Sequence, residues 1–118
     1  MIILKEKVVH YLDVEAEEVK VEGAKNTRIR WLISDKDGAP NFAMRMFEVD
    51  INGCTPLHNH PWEHEIFILN GEAKVKIGDK EYMVKSGYAL FIPPNIEHTI
   101  INIGNSTLRF LCFIPIKK

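Results

Sequence analysis

Three of the five histidines in this chain fall within seven residues, at His58, His60 and His64. Side chains alternate along an extended strand with a period of two, so His58 and His60 point to one face with their imidazoles near a shared point. His64 keeps that parity. Pro61 must bend the chain between them, but the stretch that follows places Ile66 and Ile68 on the same parity, which suits an interior. A fourth imidazole, His98, comes 34 residues later, after Pro93-Pro94-Asn95, where intervening hairpins can return the chain beside the first group. Imidazole nitrogen suits zinc, copper, iron, nickel and manganese, and selectivity follows geometry and availability more than raw affinity. Four neutral imidazoles leave the ion's positive charge in place and lower the pKa of bound water. An ion of octahedral preference would keep two positions open for water, oxygen or a chelating ligand. The plainer alternative is an exposed histidine cluster beside a loop. His10, isolated in the sequence, reads as a solvated or hydrogen-bonded residue. His64-Glu65 does not begin a zincin motif, because position 68 is Ile and the segment has β character where a helix is required.

The elements that must position these rings read as strands. Short runs rich in Ile, Val, Phe, Tyr and Trp are cut at close intervals by Gly, Pro, Asn and Asp. The predicted strands are Arg28 to Ser34, Asn41 to Asp50, Thr55 to His60, His64 to Leu69, Ala73 to Ile77, Lys80 to Val84, Tyr88 to Ile92, Glu97 to Ile103 and Thr107 to Ile114. Asn70-Gly71, Gly78-Asp79 and Gly104-Asn105 supply residues that tolerate the positive φ of tight hairpins. Lys74-Val75-Lys76-Ile77 alternates as a strand with one wet face does, whereas Ile66 to Leu69 and Leu108 to Ile114 are apolar at nearly every position and read as covered on both sides. A β-sandwich or small barrel follows. Asp13 to Val19, with Asp13 as a cap, reads as a turn or strand lead-in because its apolar face is too thin for a helix.

With 118 residues the chain has room for one domain: an N-terminal lead-in over 1–40 and a barrel core over 41–118. Its 15 basic and 16 acidic residues give a net charge of -1, which provides no field to draw in nucleic acid. No apolar run reaches the roughly 20 residues that span a bilayer, and the opening Met1 to Glu6 is charged too soon for a signal peptide. The expectation is a cytoplasmic protein with neither nucleic acid nor membrane as partner. Cys54 and Cys112 lie in no zinc-ligand spacing and read as small buried hydrophobes.

These residues resemble the cupin superfamily, whose two motifs run G-x5-H-x-H-x3,4-E-x6-G and G-x5-P-x-G-x2-H-x3-N. Gly53 precedes His58 by four intervening residues where five are usual; His60, His64 and Gly71 follow in order. The second motif appears as Gly87, Pro93, Asn95, His98 and Asn102. Asn95 stands where the pattern has glycine, a mild change because Asn also tolerates a left-handed backbone. His64 stands where the family usually has glutamate, which resembles the small single-domain cupins that hold a metal, often manganese, with four histidines. The resemblance implies an all-β double-stranded β-helix, a small jelly-roll barrel, commonly a homodimer. It implies a divalent cofactor with manganese favoured and iron, nickel, copper or zinc as alternatives.

Around the histidines, Arg45 is a charge on the otherwise apolar face of Ala43, Phe47 and Val49. It reads either as a partner of an edge carboxylate or as an anchor for an anionic ligand. Phe110, Cys112 and Ile114 share one face of the last strand, which the resemblance places along the barrel wall. Cys112 there would be either core or an oxidisable cavity group. Trp62 reads as a pocket rim or a cover for the barrel mouth. Glu63 and Glu65 have the opposite parity to His64 and read as surface or supporting groups. The apolar Ile2-Ile3-Leu4 and the C-terminal Pro115 to Lys118 suggest ends paired between two subunits. The function expected is a metalloenzyme of oxygenase or isomerase type acting on a small chelating molecule. The alternative is a metal-dependent binding or sensing module. A metal-free epimerase working through a His and Tyr pair is disfavoured, because it would leave the convergent imidazoles without a task.

Overall fold

The short β-prone runs become nine strands in the computed structural model, which describes residues 5–117. They are β1 (Glu17–Glu18), β2 (Lys25–Ile33), β3 (Phe42–Cys54), β4 (His64–Asn70), β5 (Glu72–Ile77), β6 (Lys80–Lys85), β7 (Ala89–Ile92), β8 (His98–Asn102) and β9 (Leu108–Pro115). Single 3-10 turns occupy Tyr11–Asp13 and Asp35–Asp37. The lead-in is thus a turn followed by β1, but its cap is His10, whose Nδ1 accepts from the Leu12 amide at 3.1 Å, and Asp13 ends the turn. Ile2-Ile3-Leu4 and Lys118, read above as chain ends paired between subunits, lie outside the described residues.

Every strand pairing is antiparallel. The order runs β6-β5-β8-β3-β9-β4-β7, with β2 on β3 and β1 on β2. The long β3 joins the two halves: Phe42 to Val49 lies beside β9, and Cys54 pairs with Ile101 of β8. The sheet curls so that Val49, Ile66, Ile68, Val75, Ile92, Ile100, Leu108 and Phe110 meet in one core. This is the all-β jelly-roll barrel expected.

Two motif residues show why their type is needed. A Cβ on Gly53 would lie 2.6 Å from the Lys25 carbonyl and 2.9 Å from that of Asp50, so any side chain would push β2 away from β3. Asn102, buried, donates to the Val49 and Ser106 carbonyls and accepts from the Gly104 amide, all at 2.9 Å. That side chain holds the last turn, in which neither Gly104 nor Asn105 takes a positive φ. Gly71 and Gly78 do take positive φ, as their turns require.

Two strand expectations need correction. Thr55 to His60 is not a strand: β3 ends at Cys54, Pro56 has no N–H to continue the ladder, and only His58 recovers a bridge. The outer side of β4 is not covered either, since Phe67 is 43% exposed and Leu69 38%. With Phe42 and Phe91 also exposed, an apolar outer face remains open on this chain. A continuous apolar run marks a strand with two apolar faces but does not say that both are packed within one subunit.

Candidate metal centre

His58 is brought to His98 by the backbone: each amide donates to the other's carbonyl, at 3.2 and 3.0 Å. Across that bridge the two rings lie 5.1 Å apart, and His60 lies 4.2 Å from His58. The loop bearing Asn95 is tied down by its amide, 2.6 Å from the His60 carbonyl, and Asn95 takes φ 65°, as the Gly-to-Asn change in the motif allows. His58, His60 and His98 each offer a ligand nitrogen, all within 4.8 Å of one another. The His58 Nδ1 donates to the Pro56 carbonyl at 2.8 Å and the His98 Nδ1 to that of Ile96 at 2.9 Å. A carbonyl accepts only from a protonated nitrogen, so these two bonds leave Nε2 of both rings free to coordinate.

His64, buried at the start of β4, has its ring 4.9 Å from His98 and 5.2 Å from His60. Its Nδ1 lies 3.3 Å from the Cys112 Sγ. Its Nε2 is buried with no hydrogen-bond partner among the described residues. The group whose nitrogens converge within 4.8 Å is His58, His60 and His98, a donor set that fits a divalent ion, and His64 lies beside it.

Burial, followed by the nearby charges of other histidines and Arg45, pushes His64 down to about 3 and His60 to about 4; burial lowers His98 as well. These values lie below the ordinary 6.5, so between them the unfolded chain binds more protons than the folded one. Stability from the buried neutral rings is therefore complete above about pH 6.5 and is lost as pH falls toward the folded-state values. Chelator-treated protein should lose about 2 kcal/mol between pH 6.5 and 4, after allowance for solvent screening. Thermal melts across that window read it directly, and an unchanged midpoint would contradict the burial of neutral rings.

The imidazoles open onto a cavity of about 610 Å³ whose wall includes Arg45, Trp62, Phe110 and Cys112. All four residues singled out around the histidines therefore share one site. Trp62, half-buried, stacks on His60 at 4.6 Å with the rings nearly parallel, and its Nε1 is buried with no partner among the described residues. Phe110 stacks on Phe47 at 5.2 Å. Cys112 belongs to both the core and the cavity wall, and burial pushes its thiol up against the opposing pull of Arg45. Cys54 is only half-buried, with its Sγ 3.4 Å from the Gly23 carbonyl, and so departs from the expectation of burial. Glu63 and Glu65 are exposed, as their parity predicts. The edge-carboxylate alternative for Arg45 is not what the fold contains, since no carboxylate pairs with it among the described residues. The sequence pattern gave no hint that Trp31 from β2 and the residues of β1 also line the cavity, because the β1–β2–β3 register brings them there.

Residues 45–114 match the cupin domain family. The polyketide cyclase RemF of Streptomyces resistomycificus superposes with a TM-score of 0.89 at 42% identity, over 96% of this chain and 81% of that one. A predicted oxalate decarboxylase from Thermotoga maritima superposes with a TM-score of 0.83 at 26% identity, over 94% of this chain and all of that one. An uncharacterized protein of Methanocaldococcus jannaschii is 38% identical over 65 residues, 54% of this chain. The match spans 52% of that relative, about half its length. No helix among the described residues is long and apolar enough to cross a membrane.

Proposed function

The chain belongs to the cupin domain family, and from that premise we propose that it is a small metalloenzyme. His58, His60, His64 and His98 hold one divalent ion, manganese by preference, beside a cavity for a small organic substrate with adjacent oxygen atoms. The observation that carries this reading is the convergence of the His58, His60 and His98 nitrogens within 4.8 Å. His64 joins the set on the strength of its unpartnered Nε2.

When bound, the ion supplies Lewis acidity and a lowered pKa for coordinated water, which serves oxygenase-type, isomerase-type or ring-closing chemistry of the kind named for the polyketide cyclase. The chain's own residues do the positioning. The Nδ1 bonds of His58 and His98 fix their ring orientations, Trp62 braces His60, and Phe110 and Cys112 wall the substrate off from water.

A second reading is a non-catalytic ligand-binding module in the same fold. It is favoured by the lack of buried carboxylates in the cavity wall among the described residues, where Glu17 and Glu18 are exposed on β1. The proposal extends to a homodimer, which the open outer face of Phe42, Phe67 and Phe91 supports, and to a place in the cytoplasm.

One preparation made without an affinity tag tests all of this. Elemental analysis should find about one divalent ion per chain, and sedimentation should give twice the 13.6 kDa chain mass. Screening diols, enols and phenols for oxygen uptake or product formation should reveal turnover. Metal-free protein sinks the metalloenzyme, and binding without turnover moves the conclusion to the second reading.

A further inference from the structure

Four arginines occur in the chain, and three of them, Arg28, Arg30 and Arg109, pair with Glu48 or Asp50. Arg45 is the exception. It is 9% exposed on the inner face of β3 and lines the histidine cavity. One terminal nitrogen lies 2.9 Å from the Cys112 Sγ and 3.5 Å from the His64 Nδ1, and its Nε has no partner among the described residues. The guanidinium lies 5.0 Å from the Phe47 ring centroid and 5.4 Å from that of Trp31, contacts that suit a cation but do not neutralise it.

A buried charge without a counter-ion is costly, and a fold keeps one where it has a use. Among the described residues, the cavity's buried side-chain polar atoms without a partner are all nitrogens, on Arg45, Trp62 and His64, the last assigned above to the metal. A divalent ion on the imidazoles would add further positive charge on the same side of the cavity. Apart from Thr55 and the exposed Glu17, Glu18 and Lys20, the remaining wall is aromatic or aliphatic, including Trp31, Phe47 and Phe110, and about 610 Å³ is far more than a two-carbon dicarboxylate fills.

We propose that Arg45 anchors the negative charge of an aromatic-bodied organic anion, whose carboxylate or enolate oxygen lies on the guanidinium while the flat body fills the apolar part of the cavity. This rests on reading the cavity as the ligand site. The Arg45 contact itself does not require the metal.

Calorimetric titration of manganese-loaded protein with three probes tests it: 1-hydroxy-2-naphthoate, 1-naphthol, which lacks the carboxylate, and oxalate, which lacks the body. The naphthoate should bind at least about tenfold more tightly than either of the others. Arg45→Met should weaken the naphthoate at least about tenfold, leave 1-naphthol unchanged and retain its metal. Arg45→Lys, which keeps the charge, should recover part of the affinity. Ligand-free Arg45→Met should also melt no lower than the parent, because it removes an unpaired buried charge; a purely structural arginine would give the opposite shift. Unchanged naphthoate affinity in Arg45→Met overturns the proposal. So does equal binding of naphthol or oxalate by the parent, no naphthoate binding by the parent below millimolar concentration, or loss of metal from both variants. Metal-stripped protein that still binds the naphthoate in an Arg45-dependent way would uphold the anchor independently of the metalloenzyme reading, which the metal analysis and turnover screen decide.

Discussion

The double variant His58→Ala, His98→Ala is expected to purify without metal and to lose the whole of the metal-linked stability. A ligand that binds only the folded chain stabilises it by about 4 kcal/mol when free ion exceeds its Kd roughly a thousandfold. For a chain of this size that corresponds to roughly 15 °C in melting temperature. Manganese should produce that rise in the parent, chelator should remove it, and the double variant should respond to neither. The fold should survive the change, because the bond between positions 58 and 98 runs through backbone amides and carbonyls that alanine retains. Far-ultraviolet circular dichroism checks that point. Full metal occupancy in the double variant, or a parent melt indifferent to chelator, would sink the site.

Much of the site was legible because a small number of residue types carried it. His58, His60 and His64 stand at spacings that suit an inward-facing arrangement, and the Gly, Pro, Asn and His order around His98 completed the pattern. The reason given for the first pair was only partly right. Their shared face does not come from a regular strand, since Pro56 interrupts the ladder, but from the single bridge between His58 and His98. The outer apolar face of β4 was misjudged for a related reason: a one-dimensional pattern records which side chains avoid water, not which surface covers them. Arg45 stood out as a charge on an apolar face, yet its placement beside Cys112 depended on cross-strand register, Arg45 opposite Cys112, between residues 67 positions apart. Such pairings cannot be read from local periodicity.

The same limit hid the strongest ionic feature of the fold. Glu48 follows Phe47 on β3 and reads in the sequence as an ordinary outward residue, but it is 2% exposed. Register sets Arg28 and Arg30 beside it on β2 and Arg109 on β9. One carboxylate oxygen accepts from the Arg30 Nε and the other from the Arg109 Nε, both at 2.9 Å, with the Arg28 Nε at 3.7 Å. Burial alone would raise its pKa, but the hydrogen bonds from Arg109 and Arg30 outweigh it and hold the carboxyl below its ordinary value. The unfolded chain therefore takes up the proton first as pH falls. The stability Glu48 contributes is whole above its ordinary pKa of 4.5 and is lost on further acidification. Most of this loss lies on the acid side of the histidine window. Glu48→Ala should cost about 3 kcal/mol, because it leaves the mostly buried Arg30 without its carboxylate and breaks the tie between β2 and β9; the partial exposure of Arg28 and Arg109 keeps the loss from being larger. That is roughly 10 °C in melting temperature. Glu48 projects from the face of β3 opposite Arg45 and Phe47, so the variant's metal content should equal the parent's. A melt within a degree or two of the parent would show that the arginines find other partners, and loss of metal would show that the two faces of β3 are coupled.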